Sequence, residues 1–245
     1  MSEILIEVRN LGRVFHTGGL RKAKIIALEN ITFDLKRGET IGVTGPSGSG
    51  KTTLGKIIAG IDRPTSGEVG YLGRRITELA GKERHYYRRH VHMLFQDAAG
   101  ALNPLKTTGA SIKEVAKLAG LRGASINSAV AESLRAVHLS HELLSRTPDR
   151  LSGGQNQRIA LARILMLSPE VIVLDEPTSA LDVSVQAGIL RLLKEIQRER
   201  KLGYLFISHD EAVIEFMCDT VISLKKHDHC RNVSHHTSIS RPIFS

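Results

Sequence analysis

The stretch "GPSGSGKTT" at residues 45–53 decides the fold of this 245-residue chain. It fits the pattern G-x-x-x-x-G-K-[ST] and lies between an apolar run at 40–44 and a helix-forming run at 52–60. A glycine-rich loop that joins a strand to a helix presents backbone N–H groups to phosphate oxygens. We therefore expect a phosphate-binding loop, or P-loop, at the end of a buried strand.

Each residue type in this loop suits a bound triphosphate. Glycine at 45, 48 and 50 lets the backbone curl tightly around phosphate oxygens. Lys51 can neutralise charge on the β- and γ-phosphates, and the Thr52 hydroxyl can ligate Mg²⁺. The predicted nucleotide-contacting residues of the loop are Gly45, Pro46, Ser47, Gly48, Ser49, Gly50, Lys51, Thr52 and Thr53.

A second motif, "VIVLDE" at 171–176, is acidic and supplies carboxylates for the same chemistry. A buried strand that ends in Asp175 can aim its carboxylate at the Mg²⁺ beside a P-loop. Glu176 points elsewhere and suits a general base for the attacking water. The alternative is an exposed acidic turn before Pro177. That alternative is weaker in a chain that already carries a P-loop.

Two single residues complete the predicted catalytic set. Gln96 ends the apolar run "VHMLFQ", where its amide could contact Mg²⁺ or the attacking water. His209 follows the buried run "YLFIS", where an imidazole could reach a γ-phosphate. The alternatives are an ordinary polar strand end for Gln96 and a surface or core histidine for His209.

The pattern of apolar residues predicts one α/β domain with an inserted helical block. Residues 6–15 and 27–39 alternate apolar and polar positions, which is typical of half-buried antiparallel strands. The continuous apolar runs at 171–174 and 204–208 are typical of buried parallel strands. Between 107 and 145 the pattern is helical, with Ser125 as a candidate N-cap.

The formal net charge is +9, and its densest stretch is "GRRITELAGKERHYYRRH" at 73–90. A solvated face is the default interpretation of such a mixed-sign run. A nucleic-acid patch and proximity to anionic lipid stay open. The two cysteines lack CxxC spacing, which favours a reducing compartment. We expect no signal peptide and no membrane span, so another chain would have to cross any membrane that this protein serves.

The order of the motifs resembles that of the ATP-binding cassette (ABC) ATPase family over roughly residues 4–224. The motifs are "GPSGSGKTT", Gln96, "LSGGQ" at 151–155, "VIVLDEP" at 171–177, "SALD" at 179–182 and "SHD" at 208–210. The resemblance implies an α/β fold of the P-loop NTPase (RecA-like) type. It has a parallel-sheet core, an N-terminal antiparallel β subdomain and a helical subdomain inserted at roughly 97–155.

The resemblance also implies how the second glycine-rich loop is used. In this family two cassettes pack head to tail, so Ser152, Gly153, Gly154 and Gln155 would contact ATP held by the P-loop of a partner subunit. ATP and Mg²⁺ are the implied ligands. Phe15 occupies the place of the family's adenine-stacking aromatic residue, and a core phenylalanine is the alternative.

A finer resemblance, carried by "LFQDAAGALNP" at 94–104 and "DVSVQAGILRLL" at 182–193, is to the peptide and nickel importer branch. It lacks the usual proline after Asp97. This branch implies an ATP-hydrolysing subunit on the cytoplasmic face of a bacterial inner membrane. It would be partnered by a second cassette and by permease chains, and indirectly by a solute-binding protein. No nucleic acid is expected.

Two other functions remain as alternatives: a soluble ABC ATPase acting on nucleic acid or ribosomes, and a weak cassette whose tail captures metal. Residues 225–245 depart from the branch, through divergence or truncation, and we expect them to be a disordered tail. The tail contains His227, His229, Cys230, His235 and His236 in a spacing that matches no standard structural zinc pattern.

Overall fold

The structure is a computed structural model that describes residues 3–16, 24–226 and the backbone of 239–240. Their contacts divide the chain into two compact units. The first unit contains the described residues of Met1–Met93, Glu170–Asp175 and Lys201–Ser245. The second unit contains Leu94–Pro169 and Glu176–Arg200. These two segments together are longer than the predicted helical insertion at 97–155.

The strands, in chain order, are β1 (Ile4–His16), β2 (Lys24–Lys36), β3 (Thr40–Thr44), β4 (Ser66–Tyr71), β5 (Arg74–Arg75), β6 (Val91–Leu94), β7 (Val171–Asp175), β8 (Gly203–Ile207), β9 (Thr220–Ser223) and β10 (Ile239–Ser240). The α-helices are α1 (Lys51–Ile58), α2 (Gly81–His90), α3 (Thr108–Leu118), α4 (Ala124–Ala136), α5 (Gly153–Leu165), α6 (Val183–Arg200) and α7 (Glu211–Met217). Two 3₁₀ turns, His141–Ser145 and Pro148–Arg150, lie between α4 and α5.

The first unit contains the two predicted sheets. The antiparallel sheet has the order β2-β1-β4-β5, as the alternating pattern of β1 and β2 predicted. The second sheet has the order β10-β9-β3-β8-β7-β6, and its strands β9, β3, β8 and β7 pair in parallel. Every residue of β7 and β8 is buried, which explains their continuous apolar sequences. The carboxyl ends of β3, β7 and β8 therefore meet at one edge of the sheet.

A half-buried polar network lies at the start of β7. The Tyr71 hydroxyl donates to the Glu170 carboxylate, and Arg37 donates to the other carboxylate oxygen at 2.9 Å. Burial alone would raise the pKa of Glu170. The hydrogen bonds from Tyr71 and Arg37 outweigh burial and hold this pKa below its ordinary value. Burial, followed by the bond to Glu170, raises the pKa of Tyr71.

The second unit has its own apolar core, which includes Ile112, Val130, Leu134 and Ile159 from helices α3, α4 and α5. The expected helices are present, but Ser125 is not the N-cap of α4. That position is Gly123, with φ 58°, and Ser125 lies inside the first turn, where its hydroxyl donates to the Arg122 carbonyl at 2.6 Å.

The basic stretch at 73–90 forms β5 and α2. Arg74 pairs with Glu83, and Arg75 pairs with both Glu68 and Glu78, as expected for a solvated face of mixed charge. No helix in the described part of the chain combines the length and apolarity that a bilayer-crossing segment needs.

The expectation of a disordered tail needs one correction. The backbone of Ile239 and Ser240 forms β10 and pairs antiparallel with β9. Residues 227–238 and 241–245 lie outside the described residues, and so do the tail histidines and Cys230 that bear on metal capture.

Candidate active site

The P-loop joins β3 to α1 in a backbone conformation that requires glycine. Gly45, Gly48 and Gly50 have φ values of 143°, 78° and 94°. At Gly50 a side chain is also excluded by space, since a Cβ atom there would overlap the Ala27 carbonyl oxygen and lie 3.1 Å from its carbon. The loop can therefore close against β2 only with glycine at this position.

Two side chains of the loop test whether it suits a phosphate ligand. The Lys51 side chain is 8% exposed, and its ammonium donates to the carbonyls of Gly45 at 2.6 Å and Pro46 at 3.0 Å. The Ser49 hydroxyl is buried and has no hydrogen-bond partner among the described residues. A buried cation and an unused hydroxyl inside a curled loop are groups that phosphate oxygens satisfy.

The predicted metal ligands Thr52 and Asp175 lie together. Asp175 is the last residue of β7 and is 5% exposed. The Thr52 hydroxyl, in the first turn of α1, donates to Asp175 Oδ1 at 3.2 Å. One hydroxyl and one carboxylate fit Mg²⁺, which usually keeps several waters and needs few protein ligands. Among residues 3–16 and 24–226, no group of three or more His, Cys, Asp or Glu side chains is arranged to hold a metal.

His209 lies at the same edge of the sheet as the P-loop. It follows β8 and lines a cavity of about 680 Å³ whose other walls include Gly45, Pro46, Glu211 and Glu215. The structure therefore brings His209 to the beginning of the phosphate loop. This placement argues against a core histidine.

In the second unit, Gln96 and Glu176 are connected through Ser179. The Gln96 amide donates to the Ser179 hydroxyl at 3.2 Å, and that hydroxyl donates to the Glu176 carbonyl at 3.2 Å. Glu176 has a φ of 47°, a left-handed backbone conformation that residues other than glycine rarely adopt. The backbone thus turns sharply after Asp175. The "SALD" motif was visible in the sequence, but the bond between Gln96 and Ser179 was not predicted.

The "LSGGQ" loop begins α5 with a complete capping box. Ser152 Oγ accepts from the Gln155 backbone N–H at 3.3 Å, and Gln155 Oε1 accepts from the Ser152 N–H at 3.0 Å. Gly153 is exposed, whereas Gly154 is buried, and a Cβ atom at 154 would lie 2.5 Å from Val185 Cγ1. The exposed helix N-terminus suits an anion from outside the loop.

Phe15 is on β1 in the first unit, and its side chain is 37% exposed. This exposure contradicts the alternative of a core phenylalanine. The Arg13 guanidinium lies over the ring, 4.5 Å from its centroid. Arg13 was not among the predicted site residues, although the two-residue spacing on a strand was a signal that could have identified it.

These features define a class of protein: an α/β protein with a P-loop, a carboxylate at the end of another parallel strand of the same sheet, and a second glycine-rich loop at a helix N-terminus. Residues 28–179 match the family model described as ABC transporter. Since this match covers more than half of the chain, the protein belongs to the ABC transporter family, as an ATP-binding subunit that hydrolyses ATP.

Individual relatives extend this match over most of the chain. A putative peptide import ATP-binding protein of Brucella ovis is 40% identical over 221 residues, which is 90% of this chain and 69% of the relative. An oligopeptide transport ATP-binding protein of Streptococcus pyogenes is 42% identical over 233 residues, covering 92% of this chain and 74% of the relative.

Among solved structures, the dimeric post-hydrolysis state of the ATP-binding cassette MJ0796, bound to ADP and Pi, has a TM-score of 0.77. It is 31% identical, and the alignment covers 91% of this chain and 97% of that chain. The resemblance to ABC ATPases and the predicted fold class are confirmed.

Proposed function

We propose that this chain is the ATP-hydrolysing subunit of a bacterial peptide importer. The observation that carries the proposal is that one chain contains both a complete P-loop and a preformed "LSGGQ" loop at 151–155, the signature loop, on a sequence similar to peptide and oligopeptide import subunits. The relatives reported above are named for peptides and not for nickel, so peptide is the proposed cargo class. The nucleic-acid alternative has no supporting observation of its own.

The first unit would hold the nucleotide. Glycine backbone N–H groups, Lys51 and Ser49 would bind the phosphates, and Phe15 would stack on the adenine. Mg²⁺ would be held by Thr52 and Asp175, with Gln96 as a further ligand; when bound, it neutralises charge on the β- and γ-phosphates. The carbonyls of Gly45 and Pro46 keep Lys51 inside the loop, so its charge is already in place for the phosphates.

Hydrolysis would depend on groups that orient a water and accept its proton. Glu176, which follows Asp175 directly in the chain, would act as the general base. Gln96 would orient the attacking water, and its bond to Ser179 limits the rotation of the Gln96 amide. His209 would donate to the γ-phosphate from the P-loop side of the sheet edge.

The signature loop would act on nucleotide bound to a second cassette. Ser152, Gly153, Gly154 and Gln155 are already ordered by the capping box, so binding needs no rearrangement of the loop. Partner cassette and permease chains would together place this subunit at the cytoplasmic face of the membrane. A solute-binding protein would take part only indirectly, by delivering cargo to the permease.

Glu176→Gln tests the proposal, because the amide keeps the shape of the side chain but cannot accept the proton. We expect ATP binding to persist, hydrolysis to fall by about 10²–10⁴-fold, and an ATP-bound dimer to accumulate. Phosphate release, equilibrium binding and size-exclusion chromatography measure the three effects. The control is Glu199→Gln on α6, since it removes one exposed carboxylate that does not line the His209 cavity.

Cargo is tested with the assembled transporter. The subunit and the permease pair that co-purifies with it are reconstituted in liposomes with peptide mixtures or Ni²⁺ in turn. We expect ATP-dependent uptake of peptide.

Hydrolysis by Glu176→Gln within a few-fold of the unaltered protein would contradict the role of Glu176. Stimulation of ATP hydrolysis by nucleic acid, in the absence of a permease, would contradict the proposed importer function.

A further inference from the structure

Arg13 and Phe15 form a stacked pair on β1. Residues two apart on a strand project from the same face, and here the Arg13 guanidinium carbon lies 4.5 Å from the centroid of the Phe15 ring. The guanidinium covers one face of the ring. Phe15 nevertheless remains 37% exposed, so the ring still has surface to offer a ligand.

A hydrogen bond to Asp62 holds the Arg13 guanidinium over the ring. Its Nη2 donates to Asp62 Oδ1 at 2.9 Å, in the turn that follows α1. Thr65 fastens the same turn to β1, because its backbone N–H donates to the Gly12 carbonyl at 2.8 Å and its hydroxyl accepts from the Val14 N–H at 3.0 Å. The Arg13 Nε is buried without an acceptor among the described residues, so hydrogen bonding alone does not explain why the guanidinium lies over the ring.

The pair is also near the phosphate loop in the architecture of the first unit. Gly50 approaches β2 at the carbonyl of Ala27. The residues on either side of Ala27 pair with β1, Ile26 with Val14 and Leu28 with Arg13. Phe15 thus lies on the strand next to the contact that closes the P-loop.

We propose that Arg13 is a positioning residue for nucleotide binding: it covers one face of Phe15 and holds the ring so that the adenine stacks on the opposite face. This inference rests on the proposed function, in which Phe15 is the base-stacking residue. A ring fixed before binding loses less rotamer freedom when the base arrives. Asp62 balances the charge of Arg13, so Arg13 acts on the base through Phe15 and not on the phosphates by attraction.

The test separates the base from the phosphates by measuring the affinities of the full chain for ATP and for inorganic triphosphate, both with Mg²⁺. In Arg13→Gln we expect ATP to bind about three- to tenfold more weakly, the cost of immobilising one freed side chain on binding, with triphosphate affinity unchanged. Arg13→Lys should recover part of the ATP affinity. The matched control is Arg9→Gln, an arginine of the same strand that pairs with Asp34 and should change neither affinity.

A second measurement guards against misfolding of the Arg13 variant. The chain contains no tryptophan, so Phe15→Trp introduces a single fluorescent reporter at the stacking position. We expect ATP, but not triphosphate, to change its emission, and Asp62→Asn in this background to weaken the ATP affinity read from that change by about two- to fivefold. Asp62→Asn keeps Arg13 but loosens its tether.

Equal weakening of ATP and triphosphate in Arg13→Gln would overturn the inference, because Arg13 would then act on the phosphate loop or on the fold. Unchanged ATP affinity would overturn it as well. Neither result affects the proposed function. If the unaltered chain bound neither ATP nor triphosphate, the proposed function would fail and this inference with it.

Discussion

Replacing Gly50 with alanine tests the claim that the P-loop closes against β2 only with glycine. The substitution has two effects. A left-handed φ of 94° costs a non-glycine residue about 1–2 kcal/mol. The new methyl group would also overlap the Ala27 carbonyl oxygen, a backbone atom that cannot rotate away, and such overpacking costs about 1–3 kcal/mol more. We expect Gly50→Ala to lower the free energy of unfolding by about 2–5 kcal/mol.

The matched control is Gly48→Ala in the same loop. Gly48 also has a positive φ, of 78°, but nothing lies within 4 Å of a Cβ atom there, so only the backbone strain of about 1–2 kcal/mol applies. Urea unfolding of both variants without nucleotide, followed by circular dichroism, gives the difference. Equal losses of stability in the two variants would refute the argument, since the contact with Ala27 would then contribute nothing.

Three further predictions concern other sites. Gly153→Asp should leave ATP binding by the isolated chain intact but prevent ATP-driven dimerisation, which Gly153→Ala should permit; loss of monomer binding would show that the loop serves its own chain. Gly154→Ala should lower stability by about 1–3 kcal/mol through its clash with Val185, and Val185→Ala should restore part of it; failure of this rescue in thermal unfolding would contradict the packing argument. Glu170→Gln should cost about 1–3 kcal/mol at pH 7. Since the pKa of Glu170 is lowered on folding, its stabilisation is present above about pH 4.5 and is lost as pH falls through the folded pKa, so the variant should lose less stability on acidification.

The parts of the fold that could be predicted are those where local sequence carries a complete signal. The fully apolar runs of β7 and β8 and the glycine spacing of the P-loop depend only on neighbouring residues. Helix α2 was missed because Tyr87 is its only buried residue, so it has no apolar periodicity. It is held instead by contact with the end of α1, where the Tyr87 hydroxyl donates to the carbonyl of Ile58, the last residue of that helix.

The candidate site divides in the same way. Lys51, Thr52 and Asp175 were predicted from motifs, and the structure places Thr52 and Asp175 in contact. The bond between Gln96 and Ser179 joins residues 83 positions apart, and no local pattern encodes it. Ser125 failed as an N-cap because Gly123 already supplies the turn into α4, which leaves the serine hydroxyl to bond backward to Arg122.

The pairing of β3 has a consequence for how the protein is made. This strand leads into the P-loop, yet both of its neighbours, β8 and β9, come from the last fifth of the described chain. During synthesis at about 5–20 residues per second, the roughly 160 residues between Thr44 and Gly203 take about 8–32 seconds to translate. For that interval β3 has neither of its strand partners. A ribosome that stalled before β8 would therefore carry a nascent chain with every P-loop residue but neither of the strands that flank β3, a ready substrate for chaperones.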